Sequence, residues 1–379
     1  MRILGSSELC EDVQKKDLCV DCGACAGLCP YFVSHKGKIA RLFPCTLPQG
    51  RCHAFCPKTE IDLNHVSETI VGKSYDGSPL GHMRAIWKTR AGRLMQGKGA
   101  FQNGGTASSL LVAAMASGLI DAAALTRRKG LIPEPFLATS TDQILSCAGS
   151  KYMASPTLAS VHEYSREKGQ KLAVVGTPCQ MTALGLIRMN PLGREDFHDP
   201  VALSMGLFCT WALDTRRLIR LIENRVNLQD IQSMDVPPPP SQVMTIRTCD
   251  QNLAIPLDEI RTAIPAGCSI CPDMTAEFTD LSVGALEGDP SWNTLIVRTE
   301  KGESLVEEAV RQGYLERDAM RPEHLEHLRK GASAKKKRAF IMARDKHLLN
   351  TDPAKGPSAL IIKEDLVKKL LGEEGSCLH

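Results

Sequence analysis

The stretch Cys19-Val20-Asp21-Cys22-Gly23-Ala24-Cys25-Ala26-Gly27-Leu28-Cys29-Pro30 decides how the rest of the chain is read. Its spacing, C-x2-C-x2-C-x3-C-P, is that of a bacterial ferredoxin cluster loop. Three thiolates two residues apart wrap one cube of iron and sulfide, the fourth Cys turns away to another cluster, and the proline leads the chain out. The first cube then lacks a ligand, and Cys52-His53-Ala54-Phe55-Cys56-Pro57 supplies it. By the exchange rule of two-cluster ferredoxins, Cys56 joins Cys19, Cys22 and Cys25, and Cys29 passes to the second site. A zinc site and a disulfide framework are the competing readings. Zinc knuckles pair C-x2-C knots and do not end in Cys-Pro.

The second motif is irregular. A regular copy would place cysteines at positions 46 and 49, where Thr46 and Gln49 stand, and Cys45 comes one position early. Cys29, Cys45 and Cys52 are therefore its evident ligands. Three outcomes stay open: a 3Fe–4S cluster, a 4Fe–4S cluster completed by Cys10 or a non-Cys group, or no cluster. The widened C-x6-C-x3-C-P resembles the three-iron motif of succinate dehydrogenase iron–sulfur subunits.

At 379 residues the chain is too long for a ferredoxin alone. About 150 residues per domain implies two or three domains. Its 43% hydrophobic and 23% charged residues are those of a soluble globular protein, and a net charge of +3 excludes a general nucleic-acid binder. Aromatic residues, at 4%, are too few for a base-stacking surface. The outlying number is 15 cysteines. The N-terminal residues hold no apolar core of signal-peptide length, so these cysteines point to metal or redox chemistry rather than disulfides. The most apolar stretch, Leu110 to Leu125, is broken by Ser117, Gly118 and Asp121 and falls short of the ~20 residues of a membrane span. A cytoplasmic protein is expected.

Residues 1–65 read as a ferredoxin-like iron–sulfur domain. Residues 66–85, with Gly72, Gly77, Pro79 and Gly81 and no apolar period, read as a linker. From 86 to 325 strands alternate with helices in an α/β (α+β) core whose halves join near the proline run at 236–240, and 326–379 form a basic stretch and a helical tail. Strands are expected at 85–87, 122–126, 171–175, 201–208, 281–284 and 294–298, with a hairpin over 243–257. Helices are expected through about Ser117 and at 157–168, 181–189, 214–225 and 303–312. Lys335-Lys336-Lys337-Arg338 reads as a solvated charged face, and Lys363 to Leu371 as an amphipathic helix free to dock on a partner.

Two constellations in the core carry chemistry. The first runs from Gly97 through Gly104, Gly105, Thr106 and Ser108 into an apolar helix. Such a turn leaves backbone N–H groups free for phosphate; a plain loop with Thr106 or Ser108 as helix cap is the alternative. The second is a set of four cysteines. Cys179 and Cys209 each follow a predicted strand, at the sheet edge where open α/β folds place ligands, and Cys268 and Cys271 form C-x2-C-P. Together they point to a third cluster, the alternative being small buried apolar residues. Cys147, Cys249 and Cys377 have no partner spacing.

These motifs, in this order, resemble the beta subunits of coenzyme F420 hydrogenases and dehydrogenases over about residues 17–315, with formate dehydrogenase beta subunits the nearest in layout. The resemblance rests on Cys19–Pro30 with Arg51–Pro57, Gln102-Asn103-Gly104-Gly105, Gly149-Ser150-Lys151-Tyr152, Val175-Gly176-Thr177-Pro178-Cys179-Gln180 and Gly206-Leu207-Phe208-Cys209. It rests also on Cys268–Asp273 with Asp280–Gly284, and on Asn293–Thr299. It implies FAD beside a core 4Fe–4S cluster on Cys179, Cys209, Cys268 and Cys271, and two or three clusters in all. It also implies a phosphate cradle at Gly104, Gly105, Thr106 and Ser108, with Lys151 and Tyr152 near the flavin or its substrate.

The activity implied is that of an oxidoreductase subunit. FAD would exchange hydride with coenzyme F420 and single electrons with the clusters, which serve a catalytic redox subunit of formate dehydrogenase, hydrogenase or heterodisulfide reductase type. Arg127, Arg128 or Lys129 would meet the acidic tail of the deazaflavin. The alternatives are a subunit serving NAD(P)H, ferredoxin or a thiol/disulfide partner, a flavin-less electron relay, and a zinc-stabilised scaffold.

Overall fold

The computed structural model describes residues 2–99, 101–164, 171–237, 241–352 and 358–372. An eight-stranded sheet runs through the centre in the order Leu315–Ala319, Ala85–Ala91, Asn293–Val297, Leu281–Ala285, Val201–Leu207, Leu172–Gly176, Ala122–Lys129, Ile132–Ala138. The four strands from Leu281–Ala285 to Ala122–Lys129 are parallel, and both flanks are antiparallel. The parallel strands are near-continuous apolar runs because both their faces are covered. Alternation divides their side chains: Ala123 and Leu125 enter one core with the helices Thr106–Ala116 and Glu300–Gln312, while Ala122 and Ala124 enter another with the helix Pro178–Arg188.

The strands and helices expected from sequence in this core are all present, within a few residues at their ends. The end of the expected 157–168 helix lies outside the described residues; Ala159–Tyr164 is helical. The hairpin is Val243–Arg247 with Asn252–Pro256, joined by Ser233–Asp235 into a small sheet. Met244, Ile246 and Ile255 of that sheet share a core with Leu218 and Ile222 of the helix Thr215–Ile222. Pro238 to Pro240 and Cys377 lie outside the described residues.

Three differences from the sequence reading concern the flanks. The stretch read as a linker opens inside a helix, Leu63–Val71, whose N-cap Asp62 accepts from the His65 amide and whose end is a left-handed Gly72. Leu63, Val66, Ile70 and Val71 recur at helical spacing, a period the glycines and proline that follow obscure. Second, the charged run Lys335 to Arg338 is a solvated face only at Lys337 and Arg338, which are exposed. It belongs to a 24-residue helix, Pro322–Asp345, which turns Lys335 and Lys336 inward to 4% and 1% exposure.

Third, the tail docks on its own chain. Leu360–Ile361 pairs in parallel with Ile61–Asp62, and the final helix, Glu364–Leu371, packs Leu366, Val367 and Leu370 into the same core as Leu9, Phe32 and Val66. The amphipathic face read as a docking surface is thus already covered. Among the described residues no helix is long and apolar enough to cross a membrane.

Candidate functional site

The chain brings its cysteines together in three sets. Cys19, Cys22, Cys25 and Cys56 line one buried cavity with Leu9, Val13, Val20, Ala24 and Ile39. Burial first, then the neighbouring thiols, holds Cys22 and Cys25 well above the ordinary thiol range, and Cys56 is pushed up to about 12, chiefly by burial. Cys52 is pushed up to about 11, by burial first and then in part by Cys29 and Cys45, which makes these three a second set. Cys29 is exposed there, and Cys45 and Cys52 are half-buried. Cys10 does not join them: its thiol donates to Gln14 Oε1 at 3.0 Å, and the charged groups around it are Arg41, Glu11 and Lys15.

The third set is Cys179, Cys209, Cys268 and Cys271. Cys179 stands in the first turn of Pro178–Arg188, just past the strand Leu172–Gly176, and Cys209 two residues past Val201–Leu207. Both occupy the carboxyl edge of the parallel strands. Cys179 is pushed up to about 11 by burial and then by Cys271; Cys209 is raised by burial despite the nearby Lys335 ammonium, with Cys268, Cys179 and Cys271 adding to the rise.

The sets are consecutive in space. The cavities of the first and third sets share Pro57 and Lys58 in their walls, and Cys52 of the second set lies in the short helix Arg51–Ala54 that ends two residues before Cys56 of the first. Two glycines permit that closeness. At Gly23, φ +88°, a Cβ would stand 2.3 Å from the Pro156 carbonyl oxygen; at Gly267 it would stand 2.0 Å from that of Leu18. Hydrogen bonds Leu158 N to Cys22 O at 3.2 Å and His162 Nε2 to Ala24 O at 2.8 Å secure the first loop on the core.

Among the described residues no three Cys, His, Asp or Glu donors converge on a single ion. Cys19, Cys22, Cys25 and Cys56 line one cavity, and Cys179 and Cys271 another. Burial raises the thiols of Cys22, Cys25, Cys56, Cys179 and Cys209, so loading metal there must release protons.

Two buried cations accompany these sets, and neither was apparent in the sequence. Lys58, 5% exposed, lines both the cavity of the first set and the one that holds Cys179 and Cys271. Lys335 Nζ donates to the carbonyls of Cys209 and Asp273, each at 2.6 Å. Burial works against its charge, but Cys271, Cys209, Asp273 and Cys268 outweigh it and raise its pKa.

The glycine-rich turn and the Gly149–Tyr152 loop are joined by hydrogen bonds through Gln102. Gln102 Oε1 accepts from the Ser150 amide at 2.6 Å, and Gln102 Nε2 donates to Asp235 Oδ1 at 2.8 Å. Tyr152 OH donates to the same Asp235 oxygen at 3.0 Å and accepts from the Val236 amide at 3.1 Å; burial pushes its pKa up to about 12. Lys151 folds back on its own loop, its Nζ donating to Gly149 O at 2.9 Å, and burial lowers its pKa.

The helix cap differs from expectation. Gly105, at φ +79°, is the N-cap, and Asn293 Oδ1 from the strand Asn293–Val297 accepts from the Thr106 amide at 3.1 Å. Thr106 Oγ1 pairs instead with Thr89 Oγ1 at 2.8 Å, and Ser108 lies within the first turn. The amides of Ala107 and Ser108 have no acceptor among the described residues. Gln102 and Asn293 were not singled out as site residues, although both fall inside the motifs that carry the resemblance. Arg127 and Arg128 are already engaged, Arg127 with Glu134 at 2.7 Å and Arg128 with the Gln232 carbonyl.

Comparison with known proteins places the chain in a family. Residues 92–162 match the N-terminal region, and residues 169–323 the C-terminal region, of the family described as coenzyme F420 hydrogenase/dehydrogenase beta subunits. The coenzyme F420 hydrogenase beta subunit of Methanothermobacter thermautotrophicus is 30% identical over 57% of this chain and 77% of its own length. The F subunit of the F(420)H(2) dehydrogenase of Methanosarcina mazei is 29% identical over 77% of this chain and 82% of its own. The beta subunit of the F420-dependent formate dehydrogenase of Methanocaldococcus jannaschii is 22% identical over 48% of this chain and 47% of its own.

Among solved structures, a chain of the F420-reducing NiFe hydrogenase complex from Methanosarcina barkeri superposes with a TM-score of 0.64 at 26% identity, covering 70% of this chain and 93% of that one. The chain belongs to the family of coenzyme F420 hydrogenase/dehydrogenase beta subunits.

Proposed function

We propose that this chain is the electron-exchange subunit of a coenzyme F420-dependent oxidoreductase complex, with FAD at the glycine-rich turn and iron–sulfur clusters on the three cysteine sets. The observation that carries the reading is the placement of those sets in a chain of this family, the first and third lining cavities that share Pro57 and Lys58 and the second joined to the first through the short helix that carries Cys52 up to Cys56. When bound, FAD interconverts hydride and single-electron transfer, and the clusters carry single electrons.

The residues fit these groups. Gly104 and Gly105 let the backbone come close, and the unaccepted amides of Ala107 and Ser108 suit a phosphate at a helix N-terminus. Gln102, through Ser150 and Asp235, fixes Tyr152 and the Lys151 loop against this turn. Cys179, Cys209, Cys268 and Cys271 hold the core 4Fe–4S cluster, and Cys19, Cys22, Cys25 and Cys56 the next. Cys29, Cys45 and Cys52 hold a 3Fe–4S cluster, or a 4Fe–4S cluster completed by a ligand other than Cys10. In this division residues 1–65 are the ferredoxin-like unit and 86–325 the flavin unit. The partner is a catalytic redox subunit, and the setting is cytoplasmic.

The test is cofactor analysis of oxygen-free protein, followed by mixing with reduced coenzyme F420 and a viologen dye. FAD, iron and sulfide with rapid dye reduction is the expected result. A full complement of FAD and clusters without dye reduction would remove F420 as the hydride donor, and parallel arms with NADPH, reduced ferredoxin and dithiols would show what replaces it. Zinc without labile sulfide would refute the reading altogether.

A further inference from the structure

The helix Pro322–Asp345 begins where the family match ends, at residue 323. It delivers two consecutive lysines to the interior, and their surroundings differ. Lys336 meets the Glu277 carboxylate at 2.7 Å, Tyr75 OH at 3.0 Å and the Ser78 carbonyl at 2.7 Å. Lys335 meets only the two carbonyl oxygens of Cys209 and Asp273. Among the described residues no carboxylate lies within ion-pair distance of it, and the Asp273 carboxylate is turned to the amides of Thr275 and Glu277.

Lys58 repeats the pattern from the other side. It is buried between the first and third cysteine sets, and no carboxylate among the described residues pairs with it. A buried ammonium needs a counter-charge. The nearby carboxylates are already engaged, Asp273 by the amides of Thr275 and Glu277, and Glu277 by Lys336, which leaves the thiolates of the cysteine sets as the facing groups able to supply one.

We propose that Lys335 and Lys58 are the fixed counter-charges of the cluster held by Cys179, Cys209, Cys268 and Cys271, that Lys58 is shared with the Cys19, Cys22, Cys25 and Cys56 site, and that together they raise the reduction potential of the core cluster. The inference rests on the cluster assignment proposed above. A cation beside a centre that gains an electron stabilises the reduced state, and the burial of both ammonium groups keeps water from screening them. Both are positioning residues: neither ligates the cluster nor takes part in proton transfer.

The test is an EPR-monitored redox titration of the reconstituted full chain. Lys335→Gln keeps a donor for the carbonyls but removes the charge. It is expected to lower the core midpoint by at least a tenfold change in the one-electron equilibrium constant, about 59 mV, and to leave the Cys19/Cys22/Cys25/Cys56 signal in place. Lys58→Gln is expected to lower both signals. Lys335→Arg and Lys58→Arg, which keep the charge, are expected to move neither by that much.

Fully loaded Gln variants with unmoved potentials overturn the inference while leaving the cluster assignment intact. If the Gln variants cannot hold core iron, the Arg variants decide: iron retained with Arg supports the counter-charge role, and iron lost with both substitutions overturns it. A wild-type chain without a core cluster overturns the inference and the assignment together.

Discussion

Replacing Lys336 by Met should destabilise the chain strongly and in a pH-dependent way. Lys336 Nζ is 1% and the Glu277 carboxylate 5% exposed, and they meet at 2.7 Å. Removing one partner of such a buried pair costs about 3–5 kcal/mol, because no water replaces the lost charge. Met keeps most of the apolar stem, so no large cavity adds to that cost. For a protein of this size the loss corresponds to a fall in Tm of about 4–6 °C.

The pH dependence follows from Glu277, whose carboxyl is already pushed up to about 7 by burial, with Lys336 opposing. Without Lys336 it must rise further. A carboxyl with a raised folded pKa is tolerated while neutral, so its stabilising state is fully present below the ordinary carboxylate range and is lost as pH rises through the folded value. The Lys336→Met chain should therefore be closest to wild type near pH 5 and furthest from it at pH 8.

Thermal unfolding of the oxygen-free full chain across that range, with Glu277→Gln and the double variant, gives the complete cycle. The double variant should recover much of what Lys336→Met loses. Strictly additive losses, or a cost below about 1 kcal/mol at pH 8, would show that the two groups do not depend on each other and would refute the argument.

Other outcomes follow from single contacts. Gly105→Ala forces a side chain into a left-handed backbone position, where its Cβ meets the Phe101 ring at 2.7 Å; a strain of roughly 1–3 kcal/mol should displace the turn, and flavin content per chain should fall while iron content holds. Asn293→Ala deprives the Thr106 amide and the Gly284 carbonyl of their partner; urea unfolding should show a loss of about 1–3 kcal/mol, and an unchanged midpoint would mean that Asn293 does not cap the helix. Cys10→Ser should leave iron and sulfide per chain at the wild-type level, whereas Cys56→Ser should remove the iron of one cluster; iron lost from the Cys10 variant would restore that residue as a ligand of the second set.

The amino-acid sequence by itself determined what repeats with a fixed spacing or period. The thiol spacing from Cys19 to Pro57, the apolar strands ending at Cys179 and Cys209, and the glycine-rich turn into Thr106–Ala116 are local patterns that sterics and ligand reach impose on neighbouring residues, and they outlined the core and its cysteine sets. Only the tertiary structure decided what depends on approach between distant segments. The inward turn of Lys335 and Lys336 was hidden because a run of like charges usually hydrates, and Glu277, Tyr75 and the carbonyls of Ser78, Cys209 and Asp273, up to 261 residues away in sequence, make their burial tolerable. The Asn293 cap, the exclusion of Cys10 and the pairing of Leu360–Ile361 with Ile61–Asp62 are likewise contacts across the chain. Their energy comes from partners that no local window contains.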